Sequence, residues 1–333
     1  MFATLAGGYP APDPGDPSAG SRGDRLRAVL ADQVEAGLGL LSDGWIDRPD
    51  PVDAVGRALL PGGSSMPARE RPLLVDAWTF AQNLAGDVPV KQCLPGPYSL
   101  GRRFGAVEPA VRAELTLALA DALAGELADL AAAGCPFIQV DEDGAVAIGS
   151  DPAERRLFCD AQARLLAGLG PPGARPHVSL AIDGGNADEA GAETIFEPAY
   201  DSHLFDLIAG PDNWRLITRA PVERGIVLGV VDARRPELDD PALMVWAIGY
   251  AASSGRGEER IGIAPSGSLA GLSRDVARAK LDLLGEVVRT VDRRHDEAIA
   301  ASLDPRSIDA RSAALGRWSG GRSRRRGSGH SAG

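Results

Sequence analysis

Eight short apolar runs, separated by longer amphipathic segments, constrain the fold of this chain more than any other feature. Runs that are apolar throughout, and that alternate with helical patterns, are typical of parallel strands covered on both faces. Eight such units favour a closed barrel, and 333 residues is an ordinary length for one. The sequence therefore predicts an α/β protein with a parallel, eight-stranded (β/α)8 (TIM) barrel. The predicted strands are FATLAGG (2–8), LGLLSDG (38–44), VPVKQCLPG (88–96), PFIQVDE (136–142), HVSLAID (177–183), SHLFDLI (202–208), GIVLGVVD (225–232) and RIGIAPS (260–266).

The segments between these runs carry helical periodicity. In residues 107–133 leucines recur at three- and four-residue steps, with Pro109 suited to the first turn and Gly134 to the C-terminal cap. A second clear helix is predicted over 273–291. The apolar run RPLLVDAW (71–78) falls within the second unit and is interpreted as an insertion.

The chain is predicted to form one barrel followed by one extension. The barrel covers residues 1–295 and contains a loop at 11–23 that is dense in Pro, Gly, Ser and Asp. Residues 296–333 form the C-terminal extension. It is predicted to be disordered from about residue 316, where Gly, Ser and Arg dominate.

Composition excludes several classes of partner. The formal net charge of −11 argues against a surface for nucleic acid or an anionic membrane and leaves a small-molecule substrate as the expected partner. The three cysteines are widely spaced, which favours reduced thiols over a disulfide framework. No secretory signal and no apolar run of about 18 residues is visible, so a cytoplasmic location is expected. The oligomeric state stays open.

Polar residues close the fourth run, where a barrel of this type has its active site. Gln139 and Asp141 share one strand face, and Glu142 follows directly. Burying two adjacent carboxylates is costly unless they have partners or a role. Asp141 is therefore predicted to hold a ligand ammonium or to act as an acid or base. The alternative is that one carboxylate caps the next helix or pairs with an arginine.

Charged residues also mark the third and seventh runs. Asp232 ends the seventh run and is followed by Arg234, so it either contacts ligand or forms a structural ion pair. Lys91 lies on the apolar third run, where anion binding or pairing with a carboxylate at the barrel mouth would explain it.

The fifth run begins with His177, and Ser179 follows on the same strand face. His177 could be a metal ligand, an acid or base, or a histidine hydrogen-bonded in the core. Without a second soft ligand nearby, the non-metal alternatives are favoured.

The order of the strand-end motifs is more specific than any one of them. ATLAGGYP at the first strand is followed by QVEAGLGLLSDGWIDRPDPV, VKQCLPGPYSL, ELADLAAAGCPFIQVDEDG, HVSLAIDGGN, LGVVDARRPELDD and IAPSGSLAGLSRDVARAKL. In this order they resemble the C-terminal catalytic barrel of cobalamin-independent methionine synthases, within the superfamily that includes uroporphyrinogen decarboxylase. The resemblance covers about residues 2–291 and implies a (β/α)8 fold. It also implies methyl transfer from a methylated folate to a thiol held on zinc, in methionine biosynthesis.

The resemblance also shows where this chain departs from the family. The family's zinc ligands are the histidine and cysteine of an H-x-C motif, a glutamate on the sixth strand and a cysteine beside glycine after the eighth. The corresponding residues here are His177, Ser179, Asp206 as the nearest carboxylate, and Gly267. Zinc needs about four ligands to stay bound, so we expect the zinc site to be lost.

Substrate-contacting positions of the family differ as well. The first-strand serine corresponds to Gly8, which precedes Tyr9. The glutamate that meets the substrate ammonium corresponds to Trp45, and a proposed acid histidine corresponds to Arg234. The predicted substrate-binding residues are Gly8, Tyr9, Trp45, Lys91, Gln139, Glu142, Ser179 and Arg234, and the predicted catalytic residues are Asp141, His177 and Asp232.

The resulting hypothesis is a divergent, zinc-free methyl- or alkyl-transferring enzyme of this barrel family. Methyltetrahydrofolate would be the donor, and a small thiol or amino-acid-like molecule the acceptor. The alternatives are a zinc-free C–S lyase or other lyase, and a non-catalytic barrel that binds a folate or another metabolite.

Overall fold

The computed structural model describes residues 1–12, 20–48, 50–171 and 173–303, with backbone alone at 296 and 298–303. The chain divides into two compact units, Met1–Val288 and Arg289–Gly333. The first unit contains all eight predicted strands, each within its predicted run. They are β1 (Phe2–Ala3), β2 (Leu41–Ser42), β3 (Val90–Pro95), β4 (Phe137–Asp141), β5 (His177–Ile182), β6 (Ser202–Asp206), β7 (Gly225–Val231) and β8 (Ile261–Pro265).

The strands form one parallel sheet that closes on itself. Its order is β1-β8-β7-β6-β5-β4-β3-β2, and every pairing is parallel. An isolated parallel bridge between Thr4 and Leu40 joins the β1 and β2 edges. The prediction of an α/β (β/α)8 barrel is confirmed.

Helices connect successive strands, as parallel pairing requires. The described residues form α1 (Arg22–Ala36), α2 (Pro51–Leu59), α3 (Val75–Ala85), α4 (Pro97–Phe104), α5 (Pro109–Ala132), α6 (Pro152–Leu166), α7 (Ala192–Phe196), α8 (Trp214–Arg219), α9 (Pro241–Ala252) and α10 (Arg274–Leu303). The predicted helix over 107–133 is α5, and Gly134 follows it with φ +89°.

Two segments differ from the sequence-based interpretation. The run 71–78 leads into α3, whose first four residues are 75–78, and the buried Trp78 donates its indole N–H to the Val90 carbonyl at 2.9 Å, so the run forms part of the β2–β3 connection. The loop predicted at 11–23 falls partly on residues 13–19, which lie outside the described residues. Helix α1 begins at Arg22, because Ser21 and Asp24 form a reciprocal N-terminal cap.

The predicted C-terminal boundary of the barrel at residue 295 stays a prediction. The first compact unit ends at Val288, and α10 runs to Leu303. The extension predicted to be disordered from about 316 lies outside the described residues. Among the described helices, none is both long and apolar enough to span a bilayer.

The strand register separates the two ends of the barrel. Small and medium apolar residues fill its middle, namely Ala6, Ala181, Leu204, Val227 and Ala264, with Phe2 packed against them. Along β4 and β5, Phe137 pairs with His177 at the N-terminal end, and Asp141 pairs with Ala181 at the C-terminal end. Four residues of strand span about 13 Å, so these two pairs lie at opposite ends of the barrel.

Candidate active site

A cavity of about 530 Å³ occupies the C-terminal mouth of the barrel. Loops after β1 and β2 form one wall, and the ends of β4 and β5 form the other. Five of the predicted site residues line it: Gly8, Tyr9, Trp45, Gln139 and Asp141. Its other charged side chains are Arg25, Arg48, Asp50, Asp143 and Asp183.

A chain of buried polar groups leads from the barrel interior to Asp141. The Lys91 ammonium, 1% exposed, donates to the Leu5 carbonyl and, at 2.6 Å, to Gln139 Oε1. The amide nitrogen of Gln139 in turn donates to Asp141 Oδ1 at 2.6 Å. Gln139 is therefore held at both ends of its amide, and it fixes the carboxyl of Asp141 at the cavity wall.

The carboxyl of Asp141 is poised to hold a proton near neutral pH. Burial raises its pKa to about 7, and the nearby Asp183 carboxylate adds to that rise, while the Gln139 hydrogen bond opposes it. Burial also lowers the pKa of Lys91. A carboxyl with a pKa near the working pH is suited to proton transfer.

Asp183 and Asp143 belong to the same wall, and our sequence-based interpretation did not select them. Burial raises the pKa of Asp183 to about 6, with repulsion from Asp143 and Asp206 adding to the shift and Arg234 opposing it. The Asp183 carboxylate lies against Gly267, where an added Cβ would stand 2.8 Å from Asp183 Oδ2. The missing side chain at Gly267 thus leaves space that Asp183 uses.

Trp45 forms part of the opposite wall in a strained conformation. Its φ is +55°, the only positive φ of a non-glycine among the described residues, and its backbone N–H donates to Asp43 Oδ1 at 3.1 Å. The side chain is 4% exposed, and its indole N–H has no hydrogen-bond partner among the described residues. The Arg48 guanidinium stands 5.5 Å from its ring centroid. Backbone strain and an unsatisfied donor at one residue are typical of functional sites.

Gly8 and Tyr9 shape the cavity through their backbone and ring rather than through free polar groups. The Tyr9 hydroxyl donates to Asp32 Oδ2 at 3.0 Å, and the Tyr9 N–H donates to the Gly44 carbonyl at 2.8 Å. An added Cβ at Gly8 would lie 2.7 Å from the Ser268 hydroxyl. The Tyr9 hydroxyl is therefore already engaged by the protein.

Glu142 is fully buried outside the set of residues that line the cavity. Its carboxylate accepts hydrogen bonds from the N–H groups of Tyr98 and Ser99, the Ser99 hydroxyl and the Gln162 amide, at 2.5–3.0 Å. Burial raises the pKa of Glu142 to about 7 against these four donors. The carboxylate therefore accepts the N–H groups of the first turn of α4, which precedes β4, rather than capping the next helix as the capping alternative had it.

The structure does not bring His177 together with Asp141. His177 opens β5 at the N-terminal end of the barrel, stacked on Phe137 with ring centroids 4.4 Å apart. Its Nε2 lies 2.8 Å from the Ser202 hydroxyl, and burial lowers its pKa. It borders a separate cavity of about 550 Å³ at that end. Ser179 lies two residues further along β5 toward the mouth and is buried in the barrel interior.

Asp232 and Arg234 follow β7 but do not line the mouth cavity either. Asp232 Oδ1 accepts the Arg234 N–H at 2.8 Å, and Arg235 lies 3.9 Å from the other carboxylate oxygen. The Arg234 guanidinium binds the fully buried Asp206 at 2.7 Å. These contacts are those of structural ion pairs, which was one of the two alternatives for Asp232.

Comparison with known proteins shows similarity in structure. No protein-family model matches the chain. A B12-independent methionine synthase from Shewanella sp. W3-18-1, solved with selenomethionine, aligns with a TM-score of 0.68 and 18% identity over 87% of this chain and 98% of that one. A putative B12-independent methionine synthase from Listeria monocytogenes aligns with a TM-score of 0.67 and 18% identity, over 87% of this chain and 98% of that one. A methyltransferase from Methanosarcina mazei aligns with a TM-score of 0.59 and 12% identity, over 86% of this chain and 93% of that one. The resemblance to the methionine synthase barrel predicted from the motifs is confirmed at the level of the fold.

Proposed function

We propose that this protein is a methyl- or alkyl-transferring enzyme that works in the mouth cavity without a zinc-bound thiolate, with Asp141 as its proton donor. The observation that carries the proposal is the buried chain from Lys91 through Gln139 to Asp141. This chain fixes one carboxyl at the wall of a cavity of about 530 Å³. The likeness in fold to methionine synthase and methyltransferase barrels supports the reaction class.

The chemistry of the donor explains the role of Asp141. When a methyl group leaves a tertiary amine such as N5 of methyltetrahydrofolate, the N–CH3 bond breaks and the nitrogen must gain a proton. The acceptor forms the new bond to the methyl carbon and loses its own proton. Asp141, with a pKa of about 7, can supply the first proton and recover the second.

The residues at the family's zinc positions do not fit a zinc ion. His177 lies six residues before Asp183 on β5, or about 20 Å along the strand, whereas Gly267 lies against Asp183. Zinc ligands must all lie about 2 Å from the ion. The carboxylate of Asp206 is already bound by Arg234 and by the backbone N–H groups of Gly184, Ile208 and Ala209. The proposed reaction therefore uses no metal ion.

Zinc independence gives a direct prediction. Purified protein should contain far less than one zinc per chain by elemental analysis, and dialysis against a chelator should leave its turnover unchanged. Zinc bound in stoichiometric amount and needed for turnover would contradict the proposal.

Titration with 5-methyltetrahydrofolate in a calorimeter is the decisive experiment for the reaction class. We expect saturable binding, followed by transfer of a labelled methyl group to an acceptor supplied from a panel of small thiols and amines. The absence of binding at millimolar donor would overturn methyl transfer from folate. Binding without any transfer across the panel would favour the non-catalytic folate-binding alternative.

A further inference from the structure

Helix α9 exposes an apolar face on the outside of the barrel. Its residues, Pro241–Ala252, include no charged side chain. One side of the helix packs on β7 and β8, and the opposite side leaves Leu243 65%, Trp246 60% and Tyr250 43% exposed. These positions follow the three- and four-residue spacing of a single helical face. The outer face of a surface helix ordinarily carries charged or polar residues, so this face is suited to contact with another molecule.

Three aromatic rings on this face hold one another in a fixed arrangement. Trp246 and Tyr250 stack with ring centroids 5.3 Å apart and planes 18° apart. Trp214, at the start of α8, packs edge-on against both, at 6.0 Å and 5.3 Å. These three rings and Leu243 make up the α9 face. Packed aromatic side chains lose little freedom on binding, and they supply much of the binding energy at protein interfaces.

A glycine in the middle of α9 is an independent sign of close contact. Gly249 lies one helical turn after Trp246 and is itself exposed. A Cβ added to Gly249 would meet no atom from elsewhere in the chain within 4 Å, and its φ is not positive. Neither packing within the chain nor backbone conformation therefore requires glycine, which weakens a helix relative to alanine. Close approach of a second backbone to α9 accounts for it.

The α9 face is large enough to be the core of a dimer interface. At the exposed fractions given above, Leu243, Trp246 and Tyr250 together expose on the order of 350 Å². A protein interface of ordinary size buries about 800 Å² on each partner. Such an interface has an apolar core surrounded by a polar rim. The three side chains would supply this core, and the residues around them the rim.

The charges beside the α9 face suit a second copy of the same chain. Helices α8 and α9 each return from the C-terminal end of one strand to the start of the next, so they run in the same direction. Asp240, the N-terminal cap of α9, and Arg219, the last residue of α8, therefore lie toward opposite ends of the face. Both are exposed, and neither forms an ion pair with a described residue. A twofold axis brings each Asp240 toward the partner's Arg219.

We propose that the α9 face is the contact surface of a homodimer, in which two α9 helices pack antiparallel across a twofold axis. A second copy fits this face better than an unrelated protein does, because the face complements itself in charge when it is turned about that axis. None of its four side chains lines the mouth cavity, so association does not fill that cavity. The dimer is independent of the proposed function.

Sedimentation velocity of the full chain over a wide range of concentrations tests the dimer. We expect the 34.6 kDa chain to associate reversibly into a species of twice that mass. Trp246→Ala should raise the dissociation constant of the dimer by about 30-fold or more, because a central aromatic side chain is lost from the interface. Met66→Ala, which shortens an exposed apolar side chain between α2 and α3, should leave the dissociation constant unchanged.

A second variant acts without removing any aromatic contact. Gly249→Leu extends into space that is empty within the chain, so the barrel should fold as before, with unchanged circular dichroism. The added side chain blocks close approach of the two helices and should weaken association by about tenfold or more. A wild-type chain that sediments as a monomer at every concentration would overturn the proposal and leave the α9 face to a different kind of partner. A dimer that neither variant weakens would also overturn it, because the interface would then lie elsewhere.

Discussion

Replacing Asp141 with asparagine should lower the turnover of methyl transfer by about 10²- to 10⁴-fold, the usual contribution of one positioned acid or base. The variant keeps an oxygen that can accept the Gln139 hydrogen bond but cannot give up a proton. Since Asp141 acts as a proton donor with a pKa of about 7, wild-type kcat/KM should fall as pH rises through 7. The Asp141→Asn variant should lose that dependence. Steady-state kinetics across this pH range measures both effects.

The stability of the variant separates a catalytic loss from unfolding. Burial raises the pKa of Asp141 above its value in the unfolded chain, so ionisation destabilises the folded protein as pH rises from about 4 to 7. Asparagine removes that cost and should stabilise the fold at pH 8 by on the order of 4 kcal/mol, about three pKa units at 1.36 kcal/mol each. Asp160→Asn changes an exposed carboxylate on α6 that does not line the cavity, so it is the control and should alter neither quantity. Unchanged turnover in a folded Asp141→Asn variant would refute the proton-donor role.

The barrel could be predicted from sequence because its signal is repeated. Each of the eight apolar runs is weak alone, but their alternation with helices leaves a parallel closed sheet as the simplest arrangement. The type of a short element is harder to predict. The run 71–78, which leads into α3, is too short for its pattern to distinguish a buried strand from a helix.

The site was predicted in part, and the fifth run shows why. His177 and Asp183 lie on the same face of one run, so alternation along the strand cannot choose between them. The direction of the strand can, since the C-terminal end of a parallel strand faces the mouth and Asp183 stands there. The H-x-C comparison instead selected His177, which lies at the N-terminal end of the barrel. Asp143 also follows the C-terminal end of a strand, two residues after Asp141, and the same rule predicts that it lies at the mouth.

Other features of the site depend on contacts that no local pattern encodes. The Lys91–Gln139 hydrogen bond joins residues 48 positions apart in sequence, and the partners of Glu142 come from two different helices, α4 and α6. The left-handed backbone of Trp45 is equally invisible in sequence, because tryptophan there gives no sign of a positive φ. Such features follow from the tertiary fold, which packs distant segments together.

His203 should make the protein sensitive to acid in a range where many proteins remain stable. Its imidazole is fully buried beside Phe196, with ring centroids 4.7 Å apart. Neither ring nitrogen forms a hydrogen bond of normal geometry with a described residue, although the Ile195 backbone lies near enough to oppose the fall in the pKa of His203. Burial lowers the pKa of His203 to about 3, and the Arg224 charge adds to the shift. The unfolded chain therefore binds a proton that the folded protein does not, between pH 6.5 and 3.

The sign of the effect follows from that difference in proton binding. The contribution of His203 to the free energy of unfolding is intact above pH 6.5 and declines as pH falls, by about 2 kcal/mol between pH 6.5 and pH 5. His203→Leu should remove this loss. It should also stabilise the protein at pH 7 by about 1 kcal/mol, since it removes buried nitrogens that form no hydrogen bond of normal geometry with a described residue.

Urea unfolding of wild type and His203→Leu at pH 7 and pH 5 tests this prediction. The carboxyl groups with raised pKa values, Asp141, Glu142 and Asp183, act in the opposite direction, but they are common to both proteins. The difference between the proteins at each pH therefore isolates His203 and should grow by about 2 kcal/mol on going to pH 5. Asp160→Asn, at an exposed position on α6, should show no such change. If the difference in the free energy of unfolding is the same at pH 5 as at pH 7, His203 binds its proton equally well in the folded and the unfolded protein, which would contradict the prediction.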